Sequence, residues 1–125
     1  MKEELPLFTH WYDLLTWMFR TAQRFPKSQR LILTIRFLNL GLDVMEKIQA
    51  LRYAKRRDNL FSKANLSLDR LRVLSRLMAD MAILSLKQYE YFALNIDEAG
   101  RMLGGWRKFR TRTEPLPDRY GEKEI

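Results

Sequence analysis

The stretch from Tyr89 to Trp106, YEYFALNIDEAGRMLGGW, decides how this chain folds. Its apolar residues recur at intervals that alternate between three and four positions, which keeps their side chains on one face of an α-helix. They are Tyr89, Phe92, Ile96, Ala99, Leu103 and Trp106. We therefore predict a helix here, with one face packed against other helices.

Three glycines, Gly100, Gly104 and Gly105, interrupt this predicted helix. A glycine in a helix interior costs roughly 0.5–1 kcal/mol relative to alanine, so some other contact should compensate for them. We expect the compensation to be the close approach of another backbone. Gly100, Gly104 and Trp106 are accordingly assigned to helix packing.

The rest of the sequence predicts three more amphipathic helices. The first is placed at residues 9–24 with Thr9 as its N-cap, the second at residues 27–54, and the third at residues 58–84 with Asp58 as its N-cap. Pro26 separates the first two helices, because proline disfavours helical geometry in the residue before it. Ser85 and Gln88 have the spacing of a capping box at the start of the helix that contains Trp106.

Four helices with short connections favour an all-α fold, an antiparallel up-down-up-down four-helix bundle. We predict that residues 1–109 form the bundle. Residues 110–125 contain two prolines and few apolar side chains, and they are predicted to be a flexible C-terminal tail.

The helix predicted at residues 27–54 carries two apolar stripes, whereas one is enough for the core of a bundle. The second stripe indicates a face that is buried against another subunit. A single wide stripe in a well-covered central helix is the alternative. The first stripe is Leu31, Ile35, Leu38, Leu42 and Met45, and the other is Leu33, Phe37, Leu40, Val44, Ile48 and Leu51.

The net charge of +8 comes from two stretches without acidic residues, 50–57 and 101–112. Removing their nine cations from the 23 basic residues leaves 14, against 15 acidic residues, so the remaining chain is almost neutral. An antiparallel bundle would bring both stretches to one end, which we call the basic end. Its residues are Arg52, Lys55, Arg56, Arg57, Arg101, Arg107, Lys108, Arg110 and Arg112.

A cluster of this kind suits nucleic-acid binding, because lysine and arginine attract phosphates and release condensed counterions. Tyr53, Trp106 and Phe109 lie within the basic stretches and could stack on unpaired bases. For Trp106 a place in the core is the preferred interpretation, because it continues the apolar stripe. An acidic protein or a membrane surface would also match the charge, and composition does not separate these partners.

Catalytic and metal-binding residues are scarce. The chain has no cysteine and a single histidine, His10, and it lacks the Glu-x-x-His pairs of di-iron bundles. The nearest carboxylate pairs, Asp97 with Glu98 and Asp43 with Glu46, are interpreted as solvated charges or partners of nearby arginines. We therefore expect no enzyme, no catalytic residue, no cofactor and no metal. No apolar run is long enough to span a membrane, and we expect a cytoplasmic protein.

Three motifs resemble the accessory variability determinant proteins of diversity-generating retroelements. They are FPKSQR at residues 25–30, LSLKQY at residues 84–89 and AGRMLGGW at residues 99–106, of which the last is the most specific. These proteins belong to a superfamily of four-helix bundles that includes proteins encoded by intervening sequences of ribosomal RNA. The similarity covers about residues 14–108.

The resemblance implies a non-catalytic partner of the retroelement reverse transcriptase. It also implies a homo-oligomer, a pentamer of bundles, that binds the polymerase and RNA or RNA–DNA hybrid and supports mutagenic cDNA synthesis. Two alternatives stay open. One is a stand-alone RNA-binding bundle of the intervening-sequence type, and the other is an adaptor whose basic end binds an acidic protein.

Overall fold

The computed structural model is all-α and describes residues 4–26, 31–54 and 58–113. It contains four helices, α1 (Glu4–Ala22), α2 (Leu31–Tyr53), α3 (Asp58–Asp80) and α4 (Leu86–Thr113). No strand occurs within these three ranges. The predicted fold class is confirmed at this level, since four helices pack together as a helical bundle.

Each helix packs against two others. α2 contacts α1 and α3, and α4 contacts α3 and α1. The four helices enclose one hydrophobic core, and every helix contributes large side chains to it. Its largest fully buried members include Trp11, Phe37, Phe61, Phe92 and Trp106. Over the described ranges, no helix is long and apolar enough to cross a membrane.

The predicted start of the first helix is wrong. α1 begins at Glu4, and Thr9 is an exposed residue within it rather than its N-cap. Pro6 lies in the first turn, where a backbone N–H has no partner within the helix, so proline does not interrupt it there. The sequence analysis placed the N-cap at Thr9 and therefore missed residues 4–8 of α1.

The end of α3 also differs from the prediction, since the helix stops at Asp80 rather than near Leu84. Ala82 adopts a left-handed conformation with φ of 61°. The N–H groups of Ile83 and Leu84 then donate back to the Met78 carbonyl at 2.8 and 3.2 Å, which satisfies a carbonyl at the helix end. Ile83 and Leu84 are buried after the helix has ended, so their apolar character did not indicate further helix.

The capping box at the start of α4 is confirmed. The Ser85 N–H donates to the Gln88 side-chain oxygen at 2.8 Å, and the Gln88 N–H donates to the Ser85 hydroxyl at 3.1 Å. α4 continues to Thr113, four residues beyond the predicted boundary at residue 109. The remainder of the predicted tail and residues 27–30 at the predicted start of the second helix lie outside the described residues.

The two stripes of α2 have different surroundings. Phe37, Leu40, Val44, Ile48 and Leu51 are buried, and Gly41 is buried among them. The other stripe is largely in solvent, because Leu31, Ile35 and Leu42 are exposed while Leu38 and Met45 are half-buried. A single wide core stripe therefore does not explain the sequence pattern.

Candidate nucleic-acid interface

The described residues of the first basic stretch, 50–54, lie at the C-terminal end of α2. Arg52 lies in its last turn and is exposed. The Arg52 guanidinium lies 5.8 Å from the centroid of the Tyr53 ring, and Tyr53 is 79% exposed. Tyr53 is thus accessible for stacking on a base. Lys55, Arg56 and Arg57 lie outside the described residues.

The second basic stretch reaches the start of α3 through Arg107. One terminal nitrogen of its guanidinium lies 3.5 Å from the Asp58 carbonyl oxygen and 3.4 Å from the Ser62 hydroxyl. Its Nε lies 3.8 Å from a carboxylate oxygen of Asp58, and the guanidinium is 5.8 Å from the centroid of the Phe61 ring. Arg107 therefore lies beside the residue that directly follows Arg57 in the chain.

The other cations of this stretch have different positions. Lys108 is exposed, and Arg110 and Arg112 belong to the last turns of α4. Arg101 lies farther from the helix end. Two nitrogens of its guanidinium donate hydrogen bonds to the two carboxylate oxygens of Glu98. Hydrogen bonding from Arg101 holds the pKa of Glu98 below its usual value, and the same contact raises the pKa of Arg101. The positive charge of Arg101 is therefore partly neutralised by the carboxylate of Glu98 on the same helix.

Trp106 is a core residue, as the preferred interpretation of the sequence had it. Only 1% of its surface is exposed. Its ring meets Phe61 of α3 edge to face, with centroids 5.4 Å apart and planes inclined at 85°. Phe109 is half-buried. Of the three aromatic residues considered for stacking, Tyr53 is the exposed one.

The explanation proposed for the α4 glycines is not supported. A Cβ placed on Gly100 would lie 3.0 Å from a guanidinium nitrogen of Arg72, so its close neighbour is a side chain rather than a backbone. A Cβ placed on Gly104 or Gly105 would have no heavy atom of the described chain within 4 Å. These two glycines lie on an open part of α4, and the packing role expected for Gly104 is wrong within the described chain.

The close approach occurs at Gly41 instead, a residue for which the sequence analysis gave no role. A Cβ on Gly41 would lie 2.7 Å from Leu15 Cδ1 and 2.9 Å from Met18 Cε. The Trp11 indole N–H also donates to the Gly41 carbonyl at 2.9 Å. The available signal was that Gly41 is the only glycine in a long helix that carries two apolar stripes.

The candidate carboxylates mostly bind neighbouring side chains. Asp43 accepts hydrogen bonds from Lys47 at 2.6 Å and from the Ser67 hydroxyl of α3 at 2.8 Å. Partial burial raises the pKa of Asp43, but these two hydrogen bonds and the charges of Lys47 and Arg70 outweigh it, so the pKa is lowered overall. Asp43 therefore serves as an ionised link between α2 and α3.

Asp97 and His10 likewise have structural partners. Arg72 of α3 donates to Asp97 at 3.3 Å and to Asp69 at 2.5 Å. The His10 Nε2 lies 2.9 Å from the Asn95 carbonyl oxygen and links α1 to α4. Within the described ranges, no group of three or more histidine, aspartate or glutamate side chains could hold a metal ion.

A family model described as bAvd-like matches residues 7–110, which include most of α1, the whole of α2 and α3 and nearly all of α4. A comparison with curated proteins finds no match.

Proposed function

The chain belongs to the bAvd-like family, the accessory variability determinants, and we propose that it serves a diversity-generating retroelement as a non-catalytic accessory protein. In this role it binds the reverse transcriptase together with the template RNA or the RNA–DNA hybrid, and it supports mutagenic cDNA synthesis. The family membership supports the association with the retroelement, and the position of the cations supports the binding of nucleic acid.

The single observation that carries the nucleic-acid part is the contact between Arg107 and the start of α3. It joins the second basic stretch to Asp58, the residue that directly follows the first stretch, residues 50–57. This contact supports a single basic end that includes both stretches, and Tyr53 is exposed beside Arg52. Phosphates bind such a cluster with little sequence preference, and the exposed ring adds stacking on unpaired bases.

The helices of the proposed bundle run antiparallel, up-down-up-down. Contacts between neighbouring helices support this arrangement because they occur in opposite order along the two helices of each pair. Between α1 and α2, Trp11 bonds to Gly41 whereas Phe25, just beyond α1, lies against Phe37. Between α3 and α4, Phe61 meets Trp106 whereas Arg72 pairs with Asp97.

The protein further assembles into a ring-like homo-oligomer, a pentamer. The exposed stripe of α2 includes Leu31, Ile35 and Leu42. It supports self-association because monomeric proteins rarely expose a continuous row of large apolar side chains to solvent. Tyr12 and Phe19 of α1 add exposed aromatic surface, and Phe19 lies with Met45 of α2 around one cavity. Light scattering on the full chain measures the subunit number, and a monomer would contradict the ring.

A charge reversal tests the nucleic-acid role. The double variant Arg52→Glu with Lys108→Glu changes one described, exposed cation in each basic stretch. We expect its affinity for single-stranded RNA to fall by about tenfold or more at low salt, and the slope of log affinity against log salt to decrease by about one or two.

The matched control is Arg36→Glu with Arg76→Glu, which makes the same change in net charge at exposed positions away from the basic end. It should weaken binding far less. Equal losses in both variants, or an affinity that does not change between about 50 and 200 mM salt, would contradict the proposal. Binding of the element's own reverse transcriptase is measured with the natural chain and the same variants. Such binding is expected of the accessory role and not of a stand-alone RNA-binding bundle.

A further inference from the structure

A second cationic site lies where the end of α1 meets the start of α4. An open cavity of about 200 Å³ is lined there by Arg20, Thr21, Arg24 and Gln88. Gln88 and Arg107 are 19 residues apart on α4, which corresponds to about 28 Å along the helix. This cavity is therefore separate from the basic end, and none of the described residues that line it is acidic.

The two arginines alone would not indicate a ligand. Basic side chains near the C-terminus of a helix are favoured by the helix dipole, which accounts for Arg20 and Arg24 beside the end of α1. Among the described residues, neither guanidinium makes an ion pair or a hydrogen bond.

The second observation is the hydroxyl of Thr21. Thr21 is only 9% exposed and lines the cavity, yet its hydroxyl has no hydrogen-bond partner in the described parts of the chain. Threonine within a helix usually donates to the carbonyl four residues earlier, as Thr16 does to Tyr12 at 2.9 Å. A buried polar group without a partner is unfavourable, so this hydroxyl is suited to a ligand in the cavity.

The start of α4 adds donors of its own. The oxygen of the Gln88 side chain accepts from the Ser85 N–H in the capping box, which leaves the Gln88 amide NH₂ group as a donor. The positive end of the α4 dipole lies in the same turn and favours a bound anion. Among the residues that the structure describes, two guanidiniums, one hydroxyl and one amide thus line this cavity without a carboxylate.

We propose that this cavity binds a phosphate group. Guanidinium groups match the oxygens of phosphate with paired hydrogen bonds, and two of them favour a phosphate over a singly charged carboxylate. The volume accommodates a phosphate with several waters, since one water occupies about 30 Å³ in the liquid. The phosphate belongs either to a nucleic-acid backbone or to a free or terminal phosphate. The site does not depend on the function proposed for the basic end.

Inorganic phosphate is the first probe, titrated into the full chain while the Thr21 methyl and Gln88 amide signals are followed by NMR. We expect saturable shifts of both signals. Thr21→Val keeps the shape of the side chain and removes the hydroxyl, and Arg20→Gln with Arg24→Gln removes the charges. Each variant should weaken phosphate binding by about tenfold or more, because hydrogen bonds to a charged group are lost.

Arg36→Gln with Arg76→Gln is the matched control, since it makes the same change in net charge on exposed parts of α2 and α3. It should leave phosphate binding almost unchanged, and so should the Arg52→Glu, Lys108→Glu variant of the basic end. Shifts that do not saturate, or an equal loss of affinity in the control, would overturn the proposal.

Competition identifies the source of the phosphate. A short RNA without terminal phosphates that displaces inorganic phosphate assigns the site to the nucleic-acid backbone. Displacement by a nucleoside monophosphate but not by that RNA assigns it to a free or terminal phosphate. If inorganic phosphate binds saturably and neither competitor displaces it, the ligand is free inorganic phosphate.

Discussion

The α1–α2 contact and the α3–α4 contact are both built with a tryptophan and lie near helical glycines, but they use these residues in opposite ways. At α1–α2, Gly41 makes room for Leu15 and Met18, and Trp11 donates to its carbonyl. At α3–α4, Trp106 packs on Phe61, while Gly104 and Gly105 lie on an open part of α4. A helical glycine therefore marks a close approach only where a neighbouring atom occupies the position that its side chain would take.

The largest expected effect is at Trp106. Trp106→Ala removes a fully buried indole and should lower the free energy of unfolding by about 3–5 kcal/mol, measured by urea denaturation. Trp106→Phe, which keeps an aromatic ring against Phe61, is the control and should cost less. If Trp106→Ala were fully stable and failed only in RNA binding, the indole would belong to an interface rather than to the core.

A smaller loss is expected at Gly41. Gly41→Val places a branched side chain where Leu15 Cδ1 and Met18 Cε already lie, and it should destabilise the protein by about 1–3 kcal/mol through overpacking. Gly41→Ala is the matched variant and should cost less, since the ends of these two side chains can rotate away. If the free energy of unfolding of the valine variant in urea equalled that of the natural chain, α1 and α2 would not be in close contact at this point.

The smallest effect has the opposite sign. Gly104→Ala and Gly105→Ala should each stabilise the protein by roughly 0.5–1 kcal/mol in urea denaturation, because a Cβ meets no atom there and alanine favours the helix. Gly100→Ala is the comparison, and its gain should be smaller, since Arg72 must move. A loss of stability at Gly104 or Gly105 would indicate that another segment or another subunit packs against them.

The sequence predicted the features that depend on local periodicity and capping. The number of helices follows from apolar spacing, the buried position of Trp106 follows from the stripe that it continues, and the Ser85–Gln88 capping box follows from two residues with a fixed spacing. Each of these depends on one helix and its own neighbours in the chain, so the relevant information lies within a few residues.

The features that the sequence did not predict depend on contacts between helices or on exceptions to local preferences. Gly41 and Gly104 are both glycines in helices, and only the packing of α1 beside α2 distinguishes them. Thr9 was predicted as the N-cap of the first helix, whereas α1 begins at Glu4 and includes Pro6 in its first turn, where proline is tolerated. Ala82 ends α3 in a left-handed conformation that alanine seldom adopts, so the sequence carried no signal for that end.

Arg107 and Lys108 differ in how much side-chain motion a bound ligand would restrict. Contacts with Asp58, Ser62 and the Phe61 ring hold the Arg107 guanidinium in one orientation, whereas Lys108 extends into solvent. A side chain that is already ordered loses little conformational entropy when a ligand arrives, and a freely rotating lysine loses more. Adjacent cations on the same helix would thus contribute unequally to affinity, even though their formal charges are the same.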